Sequence, residues 1–123
     1  MDPEASPRVL VVEDESAVLM LVEDMLFDLG YLDVETAMGL PEALPLARSL
    51  DLSFAILDVN LGEHRSFPIA DVLRARHVPF LFATGYGEHG MEGDYVGATV
   101  LKKPFRSADL ANAIERALGG ARN

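Results

Sequence analysis

Five short segments of the chain have the pattern of β-strands. Val9–Val12, Ser53–Leu57, Pro79–Ala83 and Ala98–Leu101 are near-continuous apolar runs closed by polar or turn-forming residues, and Val34–Ala37 is a weaker one. Runs of this length without polar alternation suit strands buried on both faces of a parallel sheet. Between them the period lengthens to that of a helix. Val18, Leu21, Val22, Met25, Leu26 and Leu29 follow the i, i+3, i+4, i+7 rule and predict a core-facing helix stopped by Gly30. Pro41–Leu50 predicts a second helix, with Pro45 expected to kink it or shift its start. Ser66–His77 predicts a third through Ile69, Val72 and Leu73, with Arg74 and Arg76 near its end. Ser107 is placed to cap a last helix whose core face is Leu110, Ala113, Ile114 and Leu118.

The stretch from Gly85 to Gly97 breaks the rhythm. It carries Gly85, Gly87, Gly90, Gly93 and Gly97, and each glycine costs a helix about 1 kcal/mol relative to alanine. Toward an apolar stripe it offers only Met91, Tyr95 and Val96. A helix is expected there by alternation, but the composition predicts a mobile or irregular segment. Gly85-Tyr86-Gly87-Glu88-His89-Gly90 matches a dinucleotide-binding glycine pattern, yet follows the wrong strand and opens no good helix.

Strand and helix alternate five times, which predicts an α/β fold with right-handed crossovers. The usual solution at this length is flavodoxin-like: a doubly wound, five-stranded parallel sheet in the order 2-1-3-4-5, with about five helices. At 123 residues the chain is expected to form one domain, 1–123, with its core over about 8–119.

Composition narrows the partners. The net charge is −10, from 20 acidic and 10 basic residues, which disfavours nucleic acid and favours metal ions or basic protein surfaces. There is no cysteine, so disulfides and thiolate metal sites are excluded. No signal-peptide pattern and no membrane-length apolar run occurs, and the expected location is cytoplasmic.

In the order 2-1-3-4-5 the first and third strands are neighbours. Glu13 and Asp14, after the first, then meet Asp58, after the third, at the carboxyl ends where such folds bind ligands. Carboxylates so gathered repel unless a cation neutralises them, and oxygen-only donors suit Mg²⁺. The fourth strand ends in the hydroxyl of Thr84 and the fifth in Lys102-Lys103-Pro104-Phe105. Carboxylate nucleophile, divalent metal, hydroxyl and lysine make up a phosphoryl-transfer site.

Glu13-Asp14, Asp58, Thr84 and Lys103-Pro104, in this order at four strand ends, resemble the response regulator receiver domains over essentially the whole chain. The resemblance implies that Asp58 is the phosphoacceptor. Glu13, Asp14, Asp58 and the backbone carbonyl of Asn60 would hold Mg²⁺, Thr84 a phosphoryl oxygen, and Lys103 the phosphoryl group, with a cis Lys103–Pro104 bond. Two positions depart from the common pattern. Val100 stands where the family carries Tyr or Phe, and Leu61-Gly62-Glu63-His64-Arg65 replaces the usual Met-Pro-x-x-x-Gly run. With Phe82-Ala83-Thr84-Gly85-Tyr86, these resemble the FAT GUY subgroup.

The implied function is that of a stand-alone switch or phosphate sink, phosphorylated by a histidine kinase or phosphotransfer protein and signalling through protein contacts. It is expected to catalyse only its own phosphorylation and slow dephosphorylation. An aspartate-nucleophile phosphatase is the alternative, weakened because Asn60 stands where a second carboxylate is needed. A degenerate receiver that only binds would lack Mg²⁺ affinity. Lys102, His64, His77 and His89 read as solvated surface. Met20 and Phe27, seven residues apart with Glu23 between, form an outward stripe of the first helix offered to a partner, the kinase first.

Overall fold

The computed structural model describes residues 7–85, 91, 93–95 and 97–122. The strands are β1 (Arg8–Val12), β2 (Asp33–Ala37), β3 (Phe54–Asp58), β4 (Asn60–Leu61), β5 (His64–Arg65), β6 (Phe80–Thr84) and β7 (Val100–Lys102). The helices are α1 (Ser16–Asp28), α2 (Leu40–Ser49), α3 (Phe67–Ala75) and α4 (Ser107–Arg122), with one 3₁₀ turn at Gly93–Tyr95. Five strands form a parallel sheet in the order β2-β1-β3-β6-β7. That is the expected 2-1-3-4-5, and β4 and β5 are an added antiparallel hairpin. Four α-helices occur among the described residues, against about five expected. None of the helices is long and apolar enough to cross a membrane, among the described residues.

Helices cover both faces, which is why the central strands read as unbroken apolar runs. Leu10, Val12, Ala55, Leu57 and Phe82 face one way, into a core shared with α2 and α3. Val9, Val11, Phe54, Ile56 and Leu81 face the other, against α1 and α4.

In α1 the buried residues are Leu19, Val22, Met25 and Leu26. Leu21 and Leu29, expected in the core, are exposed, and Val18 is half-buried. The segment Ala17–Val22 is apolar at every position, so two helical stripes fit it equally well. Only packing on the sheet chooses between them. Gly30 ends the helix as expected, with φ +99°, and the Tyr31 amide bonds back to the Leu26 carbonyl. Helix α2 runs from Leu40 through Pro45 to Ser49.

Arg76, beyond α3, donates to the carbonyls of Ala47 (2.6 Å) and Leu50 (2.8 Å), tying α3 to the end of α2. His64 and His77 are exposed, and His89 lies outside the described residues. At α4 the cap differs from expectation. Ser107 is already helical, and Asp109 reaches back to the Arg106 amide at 2.9 Å.

Candidate functional site

Each site residue is positioned by a strand that stops at the same edge of the sheet. Glu13 follows β1, and its amide still bonds to the Ala37 carbonyl at 3.0 Å. Asp58 ends β3 in register with Ala83, one residue short of Thr84, which ends β6. Lys103 follows β7, and its amide donates to the Thr84 carbonyl at 2.9 Å. The Lys103–Pro104 peptide is cis. Glu13, Asp58 and Thr84 are buried.

The carboxylates of Glu13, Asp14 and Asp58 offer oxygens that all lie within 4.8 Å of one another. Lys103 Nζ lies 2.8 Å from Glu13 Oε1 and 3.3 Å from Asp58 Oδ2. The other Glu13 oxygen accepts the amide of Glu15 at 3.0 Å. Asp14 Oδ2 accepts the Gly62 amide at 2.9 Å, so the added hairpin reaches back over the acidic edge. Asn60 opens that hairpin, partly exposed and paired with Arg65. The sequence signal for it was Leu61-Gly62-Glu63-His64, with glycine first in a two-residue loop; Gly62 has φ +65°.

Electrostatics follow from this packing. Burial, then the charge of Glu13, push the Asp58 carboxyl up to about 7, with Lys103 opposing them. Burial works against the charge of Lys103, but the hydrogen bond to Glu13 and the charges of Asp58 and Glu13 outweigh it. The ammonium is held above the ordinary lysine value. The donor set fits Mg²⁺: three carboxylates in reach of one ion, with Asp58 reluctant to ionise until more positive charge arrives.

A profile of the response regulator receiver domain matches residues 9–115. The chain belongs to that family. This receiver is similar to SdrG from Sphingomonas melonis Fr1, whose solution structure it matches with 38% identity and a TM-score of 0.80. The match covers 91% of this chain and 95% of that one. The BeF3-activated conformation of SdrG matches at 37% identity and TM-score 0.78, covering 96% and 99%. The receiver domain of the sensor histidine kinase PA1611 from Pseudomonas aeruginosa PAO1, with magnesium coordinated in its active-site cleft, matches at 26% identity and TM-score 0.76. Here the coverage is 94% and 99%. Chemotaxis protein CheY-3 of Vibrio cholerae is 27% identical over 89% of each chain. The receiver spans under half the length of two other curated relatives. It covers 46% of the transcriptional regulatory protein YvrH of Bacillus subtilis and 43% of the phyllosphere-induced regulator PhyR of Methylorubrum extorquens.

An aromatic cluster around Phe82 was not legible in the sequence. Val100 faces Phe82 in register, where the family's aromatic would stand. The aromatic mass comes instead from Tyr95, which is buried. Its ring stacks on Phe67 at 5.5 Å and meets Phe82 edge-on at 5.5 Å, and its hydroxyl bonds to Asp71 at 2.6 Å. Tyr95 therefore belongs to a packed turn, contrary to an irregular reading at that residue; residues 86–90, 92 and 96 lie outside the described residues.

Proposed function

We propose that this receiver accepts a phosphoryl group on Asp58 from the phosphohistidine of a kinase or phosphotransfer protein, and acts as a switch or phosphate sink in two-component signalling. The observation that carries the reading is the convergence of three carboxylates within 4.8 Å, with Lys103 Nζ 3.3 Å from Asp58. An Asp58 oxygen attacks phosphorus as the phosphorus–nitrogen bond breaks, leaving the partner's imidazole and an acyl phosphate on this chain. Water later cleaves the acyl phosphate, releasing inorganic phosphate and restoring the carboxylate. While the acyl phosphate lasts, Lys103 pairs with the phosphoryl oxygens and the Thr84 hydroxyl donates to one of them. Glu13, Asp14, Asp58 and the Asn60 carbonyl would hold Mg²⁺, which offsets charge on the phosphoryl oxygens. The magnesium described for the PA1611 receiver supports that assignment.

No turnover of external phosphate esters is proposed, because Asn60 offers no acid/base carboxyl at the position a phosphatase needs. Resemblance to the FAT GUY subgroup rests on Phe82-Ala83-Thr84-Gly85 followed by Tyr86. The test is incubation with acetyl phosphate and Mg²⁺, followed by intact mass. One phosphoryl adduct on the wild type and none on Asp58→Ala is the expected result; equal masses would refute the phosphoacceptor. Steady release of product from a generic phosphate monoester would favour the phosphatase.

A further inference from the structure

Helix α1 carries two apolar surfaces on opposite flanks. On one flank Val18, Leu21 and Val22 face Lys103, Pro104 and Phe105 across a small cleft of about 150 Å³, beside the phosphoacceptor edge. Lys103 lines this cleft, so this flank adjoins the site proposed for phosphotransfer. On the other flank, Met20, Glu23, Asp24 and Phe27 of α1 line a wider groove of about 280 Å³ with Tyr31 and Leu32, running toward β2 at the edge of the sheet.

The second groove has the chemistry of a helix-binding surface. Met20, Phe27 and Leu32 are 63%, 64% and 65% exposed, a cost in water that the fold does not require. Met20 and Phe27 lie seven residues apart, about 10.5 Å along the axis, the spacing at which the apolar side chains of a second helix recur. Helix α1 has no basic residue, and Glu23 and Asp24 sit between the two anchors. The whole chain carries −10, so a second copy would meet acid with acid.

We infer that the Met20–Phe27–Leu32 groove is a docking surface for a basic amphipathic helix of a partner protein, separate from the cleft beside Phe105. Apolar residues of that helix would fill the spaces beside Met20 and Phe27, with its Lys or Arg over Glu23 and Asp24. Both flanks of α1 could then be engaged at once. A signal could leave by the β2 side while the phosphodonor flank stays open.

The test uses the full chain and a leucine–lysine peptide of about 18 residues with leucine at helical spacing. Amide shifts on titration are expected to centre on Met20, Glu23, Phe27 and Leu32. Phe27→Ser, which leaves the charge unchanged, is expected to weaken binding roughly tenfold, and Leu21→Ser to leave it within about twofold. Phe27 is exposed, so its variant should fold, and unchanged labelling by acetyl phosphate verifies this. Shifts centred on Leu21 and Phe105 would overturn the inference. So would equal affinity for Phe27→Ser, which would mean charge attraction alone, or no binding at millimolar peptide. A dimer of the chain that Phe27→Ser dissolves would assign the groove to a second copy instead.

Discussion

Lys103 is bound to Glu13 at 2.8 Å and stands farther, at 3.3 Å, from Asp58. The lysine that would meet the phosphoryl group thus rests mainly on a neighbouring acid, and Asp58 receives only part of its charge. Lys103 is also what opposes the rise of the Asp58 carboxyl toward 7. Lys103→Met should therefore raise the midpoint at which Asp58 titrates, read from its carboxyl carbon by NMR without metal. An unchanged or lower midpoint would show that Lys103 does not act on Asp58.

The same carboxyl makes stability depend on pH. It titrates near 7 in the folded chain and at about 3.9 when unfolded, so between those values the native state holds a proton that the unfolded chain has lost. Its contribution to stability falls as pH rises through that window and stays lost above it. Asp58→Asn should stabilise the metal-free protein at pH 8 by about 1–2 kcal/mol and have little effect at pH 4. Urea unfolding at both pH values measures this. Mg²⁺ should shrink the difference at pH 8 by stabilising the wild type.

Phosphotransfer should depend on the flank of α1 that faces Phe105. Leu21 is 52% exposed, so Leu21→Glu should fold normally. It should slow phosphorylation by a phosphohistidine donor about tenfold or more while acetyl phosphate labels it at the wild-type rate. Met20 and Phe27, which the sequence offered to the kinase, line a groove apart from Phe105, so Met20→Lys and Phe27→Lys should change the donor rate little. Slowing by Met20→Lys or Phe27→Lys as large as that by Leu21→Glu would mean that the donor spans both flanks.

Tyr95 should be a stability residue that also holds the Gly93–Tyr95 turn. Tyr95→Phe loses the 2.6 Å bond to Asp71 and should cost about 1 kcal/mol. Tyr95→Ala empties the space among Phe67, Phe80 and Phe82 and should cost about 3–5 kcal/mol. Chemical denaturation gives both values. Hydrogen exchange at the Ala98 amide, bonded to the Tyr95 carbonyl, reports the turn itself. If that amide exchanges freely in the wild type, Tyr95 does not hold the turn.

The five strands of the parallel sheet, their order and the chain positions of Glu13, Asp14, Asp58, Thr84 and Lys103 were legible in the sequence. A strand buried on both faces needs an unbroken apolar run, and the polar residue that ends it marks the sheet edge. Other features depended on surfaces distant in sequence. The phase of α1 was ambiguous because Ala17–Val22 is apolar all round, and only burial in the core that also holds Ile56 and Leu110 favours Leu19 over Leu21. Tyr95 looked like one stray aromatic among glycines, since its partners Phe67, Phe80, Phe82 and Asp71 lie 13 to 28 residues away. The Gly62 amide on Asp14, 48 residues apart, leaves no trace in either local pattern. Backbone periodicity is written locally and survives in the sequence; the choice of which side chains meet is made by packing, and only the folded chain carries it.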